Sequence, residues 1–61
     1  MKKEQIRYVV WDCIIDGLRT GTYYVQRIDA MNELEYLVKT EAEHALDCIV
    51  KQVIFIKTQD N

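Results

Sequence analysis

Leu34-Glu35-Tyr36-Leu37-Val38-Lys39-Thr40-Glu41-Ala42-Glu43-His44-Ala45-Leu46 is the stretch on which the reading of this chain turns. Thr40-Glu41-Ala42-Glu43 has the Ser/Thr-x-x-Glu form of a capping box, in which two orphan backbone amides are satisfied reciprocally at a helix start. An apolar helical stripe follows at once. Before it, Leu34, Tyr36 and Val38 alternate with Glu35, Leu37 and Lys39, as in a strand. The period therefore switches at Thr40, which predicts a strand over 34–39 and a helix over 41–52.

A second reading competes. With Asp29 as N-cap, one long helix spans 30–52, and its stripe is Met31, Leu34, Val38, Ala42, Ala45, Ile49 and Val53. Glu35 and Lys39 then form an i,i+4 ion pair. The strand reading is favoured because Thr is mildly unfavourable inside a helix but satisfies orphan amides at an N-cap.

Outward from this point, 6–15 reads as a long strand rich in β-branched and aromatic residues. A turn follows over 16–21, where Asp16-Gly17 and Gly21 supply positive-φ positions. A second strand is expected over 22–28. The continuous apolar run Val53-Ile54-Phe55-Ile56 predicts a last strand over 53–57, buried on both faces, and 58–61 reads as a frayed tail. The fold class is α+β: a small, antiparallel-rich sheet with one helix packed on one face. The order is β-β-β-α-β, or β-β-α-β if the long helix over 30–52 forms.

All 61 residues, 1–61, fit a single small domain. A core of this size typically supplies no more than about 3–5 kcal/mol without a staple or a second subunit. The apolar fraction of 49% excludes a disordered chain. The net charge is −2, and the eight basic residues are spread along the sequence. That spread argues against nucleic-acid binding, which needs a concentrated basic footprint. No apolar run approaches the ~18 residues of a membrane span. Arg7 and Asp12 interrupt what would be a secretory leader after Met1-Lys2-Lys3. The expectation is a cytoplasmic protein with Cys13 and Cys48 reduced.

Residues with catalytic potential are few. His44 is the only histidine, Cys48 lies one helical turn further on, and there is no Ser. A reactive thiol needs an electropositive setting, whereas Glu41, Glu43 and Asp47 surround this one, so a solvated histidine beside an inert thiol is expected. Glu43 and Asp47 read as a solvated face, with Asp47 paired to Lys51. The Gly17–Gly21 segment lacks the Lys of a phosphate loop. No cofactor and no metal site are expected.

The remaining signal is an excess of apolar surface. Alternation in the first strand puts Val9, Trp11, Cys13 and Ile15 on one face, which the helix is expected to cover. The other face carries Ile6, Tyr8, Val10, Asp12 and Ile14, and soluble monomers rarely leave such a patch in water. With Tyr24 and Arg27 from the following segment, these residues form the expected protein interface. Asp12, costly to bury alone, would pair across it with Arg7, Arg19 or Arg27.

The stretch Val38-Lys39-Thr40-Glu41-Ala42-Glu43-His44-Ala45-Leu46 resembles the strand, Thr cap and acid-rich helix start of HicB-type antitoxins, whose β-β-β-α-β order is similar. The chain lacks their Pro- and Gly-containing turn between the second and third strands. It is also similar to small phage-encoded inhibitors of host proteins. Small size, the lack of a catalytic constellation and the apolar surplus point to a non-enzymatic interaction module, a homodimer, that binds and inhibits or regulates a larger cytoplasmic protein. The resemblance implies a phage or mobile-element inhibitor acting on a host or defence protein in the host cytoplasm. An antitoxin-type regulator that neutralises a toxin is one alternative. Single-stranded nucleic-acid binding through the sheet aromatics is another.

Overall fold

The computed structural model describes residues 2–58. They form β1 (Lys2–Asp12), β2 (Gly17–Leu18), α1 (Arg27–Lys39) and β3 (Cys48–Thr58), with a 3-10 turn at Ala45–Asp47 before β3. The class is the expected α+β: one helix on a three-stranded antiparallel sheet in the order β2-β1-β3. The element order is that of the shorter alternative, β-β-α-β. Gln59, Asp60 and Asn61 of the expected tail lie outside the described residues, while Thr58 closes β3.

The boundaries differ from expectation, and each difference has a local cause. The helix lies N-terminal to Thr40, over Arg27–Lys39, and does not continue to residue 52. Its inner face is Ala30, Leu34 and Leu37, spaced four and three. Glu35 and Lys39 pair at 3.0 Å on the wet side, as the helical reading predicts. Thr40 is the C-cap: its Oγ1 donates back to the carbonyls of Tyr36 (2.9 Å) and Leu37 (3.3 Å).

The amides of Glu41 and Ala42 then bond the carbonyls of Val38 (3.1 Å) and Leu37 (2.9 Å), and Glu41 sits at φ 54°. This is a Schellman ending with Glu, not Gly, in the left-handed position. The Thr-x-x-Glu signature thus closes a helix here and opens none.

The expected strand over 22–28 does not form: only Tyr24 bridges to Tyr8, and Arg27 and Ile28 open α1, while the second strand is instead Gly17–Leu18, paired with Asp12 and Trp11. The turn comes earlier than expected, over 13–16, because the Asp12 carboxylate caps the amides of Ile14 (2.8 Å) and Ile15 (3.3 Å). Residues 48–52, expected to be helix, instead open β3, which pairs with β1 over eleven positions from Cys48–Asp12 to Thr58–Lys2.

At ~3.3 Å per residue those strands run about 36 Å, whereas the helix spans about 20 Å at 1.5 Å per residue. The helix covers the Asp12 end, where Val10, Leu37, Ala45 and Cys48 form the core with Leu34 and Ala42 against it. The far end, around Ile6 and Ile54, extends as a two-stranded arm. The molecule measures 49 × 22 × 12 Å with a radius of gyration of 13.6 Å. A compact chain of this length would have a radius of about 10.5 Å.

Candidate interaction surface

Register fixes which side chains share a face. Paired residues of β1 and β3 point the same way, so Tyr8, Val10, Asp12, Cys48, Val50 and Gln52 lie on the helix side. Val9, Trp11, Ile49, Lys51, Val53 and Phe55 lie on the other, where Val9 alone is fully buried. The sequence led to the reverse assignment. Val10 and Asp12, expected at an interface, are buried inside the subunit, and the open face is the one expected to carry the helix.

Asp12 makes this parity possible. Its side chain is fully buried, yet it accepts from the Ile14 and Ile15 amides and from His44 Nδ1 at 3.0 Å. No arginine is needed. Burial pushes the carboxyl up, but the bonds from His44, Ile14 and Ile15, with the nearby His44 charge, outweigh it and hold the carboxyl below its usual range. His44 reaches this position from a left-handed backbone, φ 64°, in the turn before β3. The Cys13 amide donates to the Asp47 carbonyl at 3.1 Å and extends the β1–β3 ladder past Asp12.

The other expected interface residues are dispersed. Ile6 lies on the arm beyond the helix, half-exposed, and Ile14 is exposed in the turn. Tyr8 is bonded through its backbone to Tyr24 at 2.8 Å in both directions. The Tyr24 hydroxyl donates to Glu33 at 3.2 Å, and burial with the Glu33 charge raises its pKa. Arg27 is exposed at the start of α1.

The Cys48–His44 pair does not assemble as nucleophile and base. Cys48 Sγ donates to the His44 backbone carbonyl at 3.3 Å, while the imidazole Nδ1 engages Asp12. Burial pushes the Cys48 thiol up and the neighbouring Asp12 charge adds to it, the opposite of activation. Among the described residues, no group of three or more potential ligands is placed to hold a metal ion. Among the described residues no helix is long and apolar enough to cross a membrane.

Two surfaces remain unpartnered. The first is the open sheet face. There the Lys51 ammonium sits 4.1 Å from the centroid of the Trp11 ring, not beside Asp47. Tyr23 and Phe55 meet edge to face at 5.2 Å and 67°. Both are substantially exposed, at 46% and 43%.

The second is the outer edge of β3. Tyr8 and Val10 direct their backbone groups away from β3, to Tyr24 and Arg19. By alternation, the odd-numbered residues of β1 bond β3, so Lys51, Val53 and Phe55 face inward in the ladder. Val50, Gln52, Ile54 and Ile56 are left with outward N–H and C=O groups. An edge this long and apolar, CIVKQVIFIKT, is one that natural proteins normally cover. Beside it, Met31, Leu34 and Val50 line a groove rimmed by Arg27 and Glu35.

No protein-family model, curated protein or solved structure gives a match to this chain.

Proposed function

We propose that this chain is a small non-enzymatic binding module that works as a homodimer joined through the β3 edges. The observation that carries this reading is the free, apolar edge of β3. Under a two-fold axis an antiparallel edge is complementary to itself. An axis near Gln52 sets Val50 opposite Ile54 and Cys48 opposite Ile56 of a second copy. Ile54 and Ile56, 52% and 64% exposed, then lie beside the groove of Met31, Leu34 and Val50. An axis at Lys51 would oppose like charges and is disfavoured. The product is a six-stranded sheet with both helices on one side. Any larger protein that the chain regulates then meets the dimer.

Sedimentation together with amide exchange tests the reading. The dimer protects the amides of Val50, Gln52, Ile54 and Ile56 as well as those of Lys51, Val53 and Phe55. A monomer at high micromolar concentration, with fast exchange at every second residue, would overturn it. The substitution Gln52→Pro removes an outward donor while leaving the inward ladder bonds in place, and should split the dimer.

A further inference from the structure

We infer that the open sheet face binds single-stranded nucleic acid, an inference that goes beyond the dimer reading and does not need it to hold. The basis is a segregation of charge that the net charge of −2 conceals. On the face away from the helix the described side chains of β1 are Lys3, Gln5, Arg7, Val9 and Trp11, and those of β3 are Ile49, Lys51, Val53 and Phe55; Val9 is buried among its neighbours and the others reach the surface wholly or in part. Three are cationic and none is acidic. The described acids lie elsewhere: Asp29, Glu33 and Glu35 on the helix, Glu41, Glu43 and Asp47 in the segment after it, Asp16 in the turn between β1 and β2, and Glu4 and Asp12 at helix-side positions of β1.

Interleaved with the cations are Trp11, Tyr23 and Phe55, the last two with much of their surface in water. Cations that follow a backbone, together with rings on which bases stack, are the two components of sequence-tolerant single-strand recognition. The Lys51–Trp11 contact joins them. An exposed ammonium parked over the indole can pass to a phosphate and leave the ring to a base. A duplex, whose bases are already stacked, offers the rings nothing. An acidic protein segment would satisfy Lys3, Arg7 and Lys51 but would leave the aromatic surface unexplained.

The test is titration of the full chain with a fluorescent oligothymidylate of about 12 nucleotides, within the range single-strand sites span, read by anisotropy and by Trp11 quenching. Heparin, a poly-glutamate peptide and a duplex of equal length serve as competitors. Three phosphate contacts predict a log–log salt slope of about −2, and Lys51→Gln should reduce its magnitude by about 0.7. Phe55→Ala and Tyr23→Ala should each weaken binding roughly 5- to 150-fold, the cost of one lost stack. Circular dichroism verifies that each variant folds, and Glu35→Gln on the helix is the folded control that should bind as the wild type does. No binding at low salt, or equal competition by heparin, poly-glutamate or duplex, would overturn the inference. Sedimentation is read separately. A dimer that does not bind sinks only this inference, and a monomer that binds sinks only the dimer.

Discussion

Replacing Glu41 with Gly should stabilise the protein, and the sign of the effect tests the central feature of the fold. Glu41 occupies a left-handed position, φ 54°, at the close of α1. For a residue with a Cβ that conformation costs about 1–2 kcal/mol. Glycine removes the cost but adds about 0.4–1 kcal/mol of unfolded-state entropy to be lost on folding. The substitution also takes a carboxylate away from the negative end of the helix dipole, worth about 0.3 kcal/mol at an exposed site. The balance is a gain of about 1 kcal/mol, or about 4–8 °C in Tm for a domain of this size. Urea unfolding at pH 7 and fixed protomer concentration measures it, since association would otherwise move the midpoint. Glu41→Ala keeps the strained φ and should gain only the charge term. If residue 41 instead opened a helix running toward residue 52, glycine would lose helix propensity and a favourable N-terminal charge, and the midpoint would fall. A fall would refute the Schellman ending and, with it, the placement of β3.

Other consequences follow from the same contacts. The folded pKa of Asp12 is depressed, so its contribution is fully present above the unfolded carboxyl value of about 3.9 and is lost as pH falls through the folded value. Asp12→Asn should flatten the stability profile in that acid window, and parallel profiles for the two proteins would show that the carboxylate is not held as described. Cys13 is exposed and Cys48 buried with a raised pKa. Iodoacetamide at pH 7.5 should therefore modify one thiol in the folded protein and two in urea, and mass spectrometry that finds Cys48 modified first would contradict the packing. Leu37→Ala removes the largest side chain of the core cluster at a cost of about 2–5 kcal/mol. That approaches the whole stability of such a domain, so its far-ultraviolet dichroism should report a largely unfolded chain at 25 °C.

How far the fold was legible depended on whether the deciding contact was local. The first strand was legible because Tyr8-Val9-Val10-Trp11 is β-branched and aromatic, and those side chains pack well on a pleated surface. The helix was legible only in the competing reading, through Leu34 and the Glu35–Lys39 pair. Leu37 and Val38 as adjacent apolar residues already broke strict alternation. Thr40 misled because one short motif serves both ends of a helix: the Thr hydroxyl can accept from a following amide or donate to a preceding carbonyl, as it does here. A glycine at position 41 would have marked the ending; glutamate hid it. Lys51 read as the wet side of a helix because β3 is an edge strand, where polar side chains are tolerated between Val50 and Val53. The candidate site was less legible still. The sequence showed that apolar surface exceeds what one helix can cover, but not which face stays bare.

That last point turns on a single pairing across 32 residues of chain. In a strand, burying Asp12 brings Val10 and Tyr8 to the helix side and sends Trp11, Arg7 and Lys3 to the other face, because successive side chains alternate; Val9, on that same face, is buried by its neighbours. An unpaired carboxylate would oppose that choice, since its desolvation cost exceeds what Val10 gains on burial. His44 and the amides of Ile14 and Ile15 remove the objection. The Asp12–His44 contact therefore decides more than local stability: it selects the cationic, aromatic side of the ribbon as the side that meets the outside. The opposite parity would turn Tyr8 and Val10 away from the helix and direct Lys51 at it, where the ammonium would have to be desolvated, while Lys3 and Glu4, on the arm beyond the helix, stay in water either way. Burying one acid is thus the less costly of the two arrangements, and the basic face is its consequence.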